Sequence, residues 1–156
     1  MSLRIEPASR LAAGLLSILH CACFPEDPWG LAATTKTMAI AGFFGRIAWE
    51  DATPAGFALA LDLGDECEVL SLGVVPARRR AGIGSALLEA LCIEARLRGA
   101  KSIVLEVAVD NVAALGLYTA RGFIHVGRRS GYYLKENHKV DALVSRLELA
   151  NPSIDR

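Results

Sequence analysis

Three arginines, Arg78, Arg79 and Arg80, run into Gly82 and Gly84, and the sequence from Ile83 onward has helical spacing. Cations and glycines at the mouth of a helix suit an anion. The first helical turn has unpaired N–H groups and a partial positive charge. Glycine lets backbone approach a ligand closely, and guanidinium groups add charge-assisted hydrogen bonds. That is chemistry for a pyrophosphate, although a solvated charged turn has the same composition. The stretch is not a Walker loop, because no Gly-Lys-Ser/Thr follows, and it is not G-x-G-x-x-G, because Leu87 stands at the third glycine position. Glu106 sits in the apolar run Ile103–Val107, where the plain reading is a strand-end glutamate facing water, and Tyr118 has the helical spacing from Ala114 of an aromatic packed in a core.

The surrounding pattern narrows the choice. Arg79-Arg80-Ala81-Gly82-Ile83-Gly84 reads R-x-x-G-x-G directly after the strand-like "LSLGVVP". Further on, Asn111, Ala114, Leu117, Tyr118, Gly122 and Phe123 fit N-x-x-A-x-x-L-Y-x-x-x-G-F. In this order the two motifs resemble the GNAT superfamily of N-acetyltransferases. "CFPEDPWG", "LEVAVDN", "GRRSGYY" and "DALVSRLEL" extend the resemblance over nearly the whole chain, toward the RimI-like ribosomal-protein-alanine N-acetyltransferases.

The resemblance implies acetyl-CoA as co-substrate, with no metal. It implies that the backbone of Leu72, Gly73 and Val74 meets the pantetheine arm and acetyl group. Arg79, Arg80, Ala81, Gly82, Ile83, Gly84 and Ser85 would hold the pyrophosphate, and Asn111 would contact the cofactor. Glu106 would be general base and Tyr118 general acid. Trp29, Tyr132 and Tyr133 would flank the acceptor groove. It also implies a bulge in the strand before Pro76, splaying two strands to admit the pantetheine, and Gly73 is compatible with such a bulge.

The chemistry favours a protein N-terminus as acceptor. The amine must be neutral to attack a thioester. An α-amino group, with a pKa near ~7.7–8, is far more often neutral at pH 7 than a lysine at ~10.4; the gap of about 2.5 units is worth roughly 3.4 kcal/mol. One carboxylate, directly or through water, suffices as base. A tyrosine near ~10 is a weaker acid than a thiol near ~8.5, so hydrogen-bonding the leaving sulfur is a lighter demand than full proton transfer. The acceptor the resemblance implies is the N-terminal alanine of a ribosomal protein. Two other readings stay open. One is acetylation of a small amine, such as a polyamine or amino-sugar, which would need a pocket closed over the acceptor. The other is an acetyl-CoA-binding regulatory module without turnover, which would need neither Glu106 nor Tyr118.

Elements must hold these residues in place. "LRIEP" predicts a strand ended by Pro7. Ser9 reads as the N-cap of a helix with apolar residues at Leu11, Leu15, Ile18 and Leu19. Asp27-Pro28 predicts the start of a second helix running to about Thr37. "FFGRIAWE", "AGFALALDL" and "CEVLSLGVV" predict three strands, with "DATP" as the first turn. Residues 83, 87, 88, 91, 92 and 95 mark the apolar face of a helix closed by Gly99. "KSIVLEVAV" predicts a buried central strand. Asn111 and Gly122 bracket a helix in which Gly116 costs up to ~1 kcal/mol against alanine. "FIHVGRR" and "DALVSRLEL" predict two last strands, with "SGYYLKENHK" between them. The expected fold is a single α/β domain, residues 1–156: one mixed, mostly antiparallel sheet of about seven strands flanked by about four helices, as in the GNAT fold.

Composition sets the remaining bounds. The 156 residues are 53% hydrophobic, enough for a core, and 17 Lys+Arg balance 17 Asp+Glu. A net charge of zero argues against direct nucleic-acid binding through bulk charge. "MSLRIEPASR" does not read as a signal peptide, and no apolar run approaches the ~18 residues of a membrane span. The expected setting is cytoplasmic, away from membranes, with a monomer or weak dimer. Cys21 and Cys23 read as buried or half-buried thiols and Cys92 as core. His20, His125 and His138 lack metal-ligand spacing and receive no role. Glu26, Asp27 and Glu50 read either as solvated charges or as attraction for a basic peptide.

Overall fold

The computed structural model describes residues 2–135 and 138–149. The elements run β1 (Leu3–Pro7), a short 3-10 turn (Arg10–Ala12), α1 (Ala13–Cys23), α2 (Leu31–Met38), β2 (Phe43–Glu50), β3 (Thr53–Asp62) and β4 (Glu66–Val74). A second 3-10 turn (Pro76–Arg78) leads to α3 (Ile83–Leu97), β5 (Ser102–Ala108), α4 (Val112–Arg121), β6 (Ile124–Lys135) and β7 (His138–Glu148). The strands form one sheet in the order β1-β2-β3-β4-β5-β7-β6. Every pairing is antiparallel except β4 with β5. This is the expected mixed, mostly antiparallel seven-stranded sheet with four α-helices.

Side-chain alternation divides the core between the two sheet faces. On β3, Phe57 and Leu59 pack with Leu16, Leu19 and Cys23 of α1 and Met38 of α2. Ala58 and Ala60 face the other way, toward Leu87, Leu88, Leu91 and Cys92 of α3. Small residues on the strand leave room for large ones on the helix. All six apolar positions predicted for α3 are buried, and each such large side chain stabilises the fold by roughly 1.5–3 kcal/mol. Arg98 caps α3, and Gly99 follows in the left-handed region (φ 89°).

Several local expectations need correcting. Leu11 and Ile18 lie on the outer face of the N-terminal helical segment, 97% and 67% exposed, while Leu16, Leu19, His20 and Cys23 are buried. Ser9 makes no side-chain cap; a 3-10 turn precedes α1 instead. α2 starts at Leu31 behind Gly30 rather than at Asp27-Pro28. Cys21 is exposed, although Cys23, Cys67 and Cys92 are buried. Most of "SGYYLKENHK" is strand: β6 and β7 carry the last hairpin far beyond Arg129, through an irregular register between Arg129 and Tyr133. Residues 136 and 137 of that segment lie outside the described residues. Among the described residues, no helix is long and apolar enough to cross a membrane.

Candidate active site

The site begins where the sheet opens. β4 and β5 pair only through Glu66↔Ser102, Cys67↔Ile103 and Glu68↔Val104. Beyond that point β4 continues to Val74 and β5 to Ala108 without pairing. The cause lies on the β3 side. Leu59 faces Ser71 and Ala60 faces Val69, so Leu70 is an extra residue on β4. Such a bulge bends its strand and disrupts pairing locally. The splay therefore originates at Leu70, not at Gly73, which pairs regularly with Phe57. Gly73 is glycine for another reason: a Cβ there would stand 2.9 Å from Cys23 Cβ and 3.0 Å from a Phe57 ring carbon.

Past Val74 the chain enters the arginine turn. Each arginine has a different occupation. Arg78 pairs with Glu50, a buried carboxylate at the end of β2, so Glu50 is not a solvated acidic attractor. Arg79, although exposed, folds back on the chain; its Nε donates to the Val74 carbonyl at 3.0 Å and its Nη2 to that of Cys23 at 3.5 Å. Arg80 is exposed, and no hydrogen bond or ion pair ties its side chain to a described residue. Its backbone is left-handed, φ 68°, a conformation costing a non-glycine residue roughly 1–2 kcal/mol. Gly82 is left-handed as well (φ 79°) and precedes α3 without capping it through a side chain. The N–H groups of Ile83, Gly84 and Ser85 thus open α3 uncapped, in a place suited to an anion. Gly84 sits close under α4: a Cβ there would lie 3.4 Å from Leu117.

At the far end of β5 stand the groups able to move protons. Ile103, Leu105 and Val107 join the core cluster of α3 and Tyr118, so Glu106 projects from the opposite face. Its side chain is 20% exposed, and its carboxylate forms an ion pair with Arg129, Oε1 lying 2.9 Å from Nε. Arg129 also lies over the Tyr132 ring, 5.3 Å from its centroid. Tyr132 and Tyr133 meet edge to face at 5.0 Å. Tyr118 is buried on α4 beside Phe123, ring centroids 5.6 Å apart. Burial above all, with Tyr133 adding to it, pushes the Tyr118 hydroxyl up to about 12. Burial first, then Tyr132 and Glu106, raises Tyr133.

Asn111 has a local duty. Its Oδ1 accepts the Ala114 N–H at 3.2 Å, capping α4, and Gly122 in the left-handed region ends that helix. Trp29 belongs to the loop before α2. Its ring stacks on His20 at 4.6 Å, its backbone N–H donates to His20 Nδ1 at 2.9 Å, and its backbone carbonyl accepts from Ser17 Oγ at 3.0 Å. His20, given no role from the sequence, is the buried anchor of this loop; desolvation lowers its pKa. Arg129 and Asp141 also escaped sequence reasoning. The only signal for the first was the pair Arg128-Arg129 ahead of "SGYY", and for the second there was none. Among the described residues, no three His, Cys, Asp or Glu side chains are grouped to hold a metal ion.

Known proteins share this fold. Residues 15–123 match the model of the acetyltransferase (GNAT) family. N-alpha-acetyltransferase RimI of Mycobacterium tuberculosis is 37% identical over 132 residues, covering 82% of this chain and 80% of that protein. The [Ribosomal protein bS18]-alanine N-acetyltransferase of Escherichia coli is 35% identical over 96 residues, 62% of this chain, and the match spans 65% of that relative's length. The crystal structure of the Escherichia coli ribosomal-protein-S18-alanine N-acetyltransferase superposes with a TM-score of 0.89 at 25% identity, covering 96% of this chain and 95% of that one. A Salmonella typhimurium structure solved with acetyl-CoA superposes at 0.79 with 20% identity, covering 96% of this chain and 95% of that one. With its opened β4–β5 pair, its glycine turn and these relatives, the chain belongs to the acetyltransferase (GNAT) family.

Proposed function

We propose that this protein transfers the acetyl group of acetyl-CoA to the N-terminal α-amino group of a protein, the alanine end of a ribosomal protein in the cytoplasm. The observation that carries the reading is the β4–β5 gap, with an uncapped, glycine-containing helix start beyond the end of β4, Glu106 on the facing stretch of β5 and Tyr118 on the helix that follows it. The named relatives support the choice of acceptor.

In the proposed reaction the pantetheine lies in the gap, along the backbone of Leu72, Gly73 and Val74. The pyrophosphate rests on the N–H groups from Arg80 to Ser85. Arg79 shapes the turn through its two carbonyl bonds. Glu106 takes a proton from the acceptor ammonium, directly or through water. The neutral nitrogen adds to the thioester carbonyl; its second proton passes to solvent, and the C–S bond breaks as the amide forms. The sulfur leaves as thiolate beside Tyr118. A hydroxyl near 12 lies about 3.5 units above a thiol at ~8.5, so full proton transfer to sulfur is uphill by roughly 5 kcal/mol. Tyr118 therefore acts as a hydrogen-bond donor to the leaving sulfur, and solvent supplies the proton.

The test is acetyl transfer from acetyl-CoA to a short peptide beginning Ala-Arg, run beside a copy with a blocked N-terminus and an internal lysine. Transfer to the free N-terminus alone supports the reading. Transfer to neither, with acetyl-CoA still bound, moves the assignment to small amines. Failure on polyamines and amino-sugars as well leaves a binding module without turnover.

A further inference from the structure

Arg129 is the residue that this reading does not use. Its guanidinium holds the Glu106 carboxylate at 2.9 Å, so the proposed base is already paired with a cation. An α-ammonium reaching Glu106 competes for the same oxygens. The pair is built to open. The Arg129 side chain is 58% exposed, and ion pairs with an exposed partner are weak and screened by salt. The Tyr132 ring, 5.3 Å away, offers the released guanidinium a face to rest on. The backbone that carries both is fixed from behind. Between Arg129 and Tyr133 the β6–β7 register breaks, Gly131 is left-handed (φ 61°), and Asp141 holds the break through the Gly131 N–H at 2.8 Å and Arg128 at 2.6 Å.

We propose that Arg129 is a positioning residue that acts as a displaceable latch: it occupies the acceptor's seat on Glu106 at rest and exchanges, cation for cation, with the incoming amine. The inference rests on the function proposed above. While latched, Glu106 cannot draw a proton from water, so idle hydrolysis of the thioester to acetate and free thiol is suppressed. When the acceptor's ammonium displaces Arg129, the carboxylate meets the one proton it is to remove. A blocked N-terminus carries no cation and leaves the latch closed.

Two measurements test this. The first uses peptide binding to the enzyme–CoA complex by calorimetry, for the parent, Arg129→Ala, Arg129→Lys, Glu106→Gln and the Arg129→Ala/Glu106→Gln pair. Removing the competitor is expected to tighten peptide binding about two- to fivefold, the worth of an exposed pair. Lysine should restore parental affinity, and the alanine effect should vanish in the Glu106→Gln background. In the same variant, thiol release from acetyl-CoA without acceptor should rise. Equal or weaker peptide binding by Arg129→Ala would overturn the latch.

The second follows the Arg129 Nε–H resonance in the complete protein with CoA while alaninamide or spermidine is added. A free amine should move it to its position in Glu106→Gln, and N-acetylalaninamide should not. An immobile resonance in an enzyme that acetylates the peptide overturns the latch and leaves the function standing. A resonance moved by amines in a protein that acetylates no peptide keeps the latch and removes the function.

Discussion

Asp141 Oδ1 accepts the Gly131 N–H at 2.8 Å, tying the left-handed residue of the β6 irregularity to the strand opposite. The same carboxylate pairs with Arg128, and these two partners hold its pKa below the usual carboxylate range, the Gly131 N–H first. Asp141→Ala should loosen the segment bearing Arg129, Tyr132 and Tyr133. The expected result is a raised KM for the acceptor peptide with an unchanged KM for acetyl-CoA. The clasp is intact above about pH 3.8 and weakens as pH falls through the lowered native value. Steady-state kinetics with each substrate varied in turn checks the split.

Tyr118→Phe keeps the ring against Phe123 and removes only the hydroxyl. Turnover should fall roughly 10²-fold with KM for acetyl-CoA unchanged. A hydroxyl near 12 stays protonated through the working range, so an alkaline limb below about pH 10 in the parent enzyme should persist in the variant. Unchanged turnover would remove Tyr118 from the mechanism.

Gly73 and Gly116 make a contrasting pair. Alanine at Gly73 drives a methyl into Cys23 and Phe57, an overpacking expected to cost about 1–3 kcal/mol. Alanine at Gly116 meets nothing within 4 Å and should stabilise α4 by about 0.5–1 kcal/mol. Urea melts should move in opposite directions. A Gly116→Ala protein that is more stable but has a raised KM for acetyl-CoA would mark Gly116 as the place where α4 passes the pantetheine.

Arg80→Gly should separate stability from binding. It relieves a left-handed arginine, and the melting temperature should rise by a few degrees, as about 1 kcal/mol implies for a chain this long. It also removes the arginine whose side chain is uncommitted at the proposed pyrophosphate turn, so KM for acetyl-CoA should rise. A fall in stability would show that the side chain, not the backbone, governs this position.

Buried thiols and a buried tyrosine lower stability at alkaline pH. Burial lifts the thiols of Cys23 and Cys67 to about 11 and the Tyr118 hydroxyl to about 12. The unfolded chain releases these protons near 9.0 and 10.0, before the folded one does. Their contribution is complete below pH 9 and is lost as pH rises through about 11. The urea midpoint should fall across that interval, less steeply in Cys67→Ala.

The sequence was most legible where one local signal decided the outcome. The apolar spacing of α3 and the Asn111-to-Gly122 bracket of α4 both predict their helices, because caps and periodicity act within a few residues. The N-terminal helix was harder: Leu11 and Ile18 look like core in a pattern count, yet the sheet receives Leu16 beside the expected Leu19. "SGYYLKENHK" reads as a connection between two strands, while most of it is strand, because Asp141, ten residues past Gly131, holds that glycine within the hairpin. The resemblance anticipated the opening of the sheet, but its cause, the extra residue Leu70, is a matter of register between two strands. No single-strand pattern carries that. Arg129 likewise reaches Glu106 through pairing between strands, across β7, which lies between β5 and β6.

The unpaired stretch of β4 and β5 also bears on how long the protein survives. Open strand edges normally lie on the rim of a sheet, where charge or covering loops guard them. Here two edges face each other inside the molecule. On the proposed function, acetyl-CoA fills that seam, and a ligand at a hundred times its dissociation constant adds about 2.7 kcal/mol of stability. Copies lacking it expose the seam more often to other chains and to proteases. The abundance of the enzyme would then follow the acetyl-CoA supply, with no separate regulator needed.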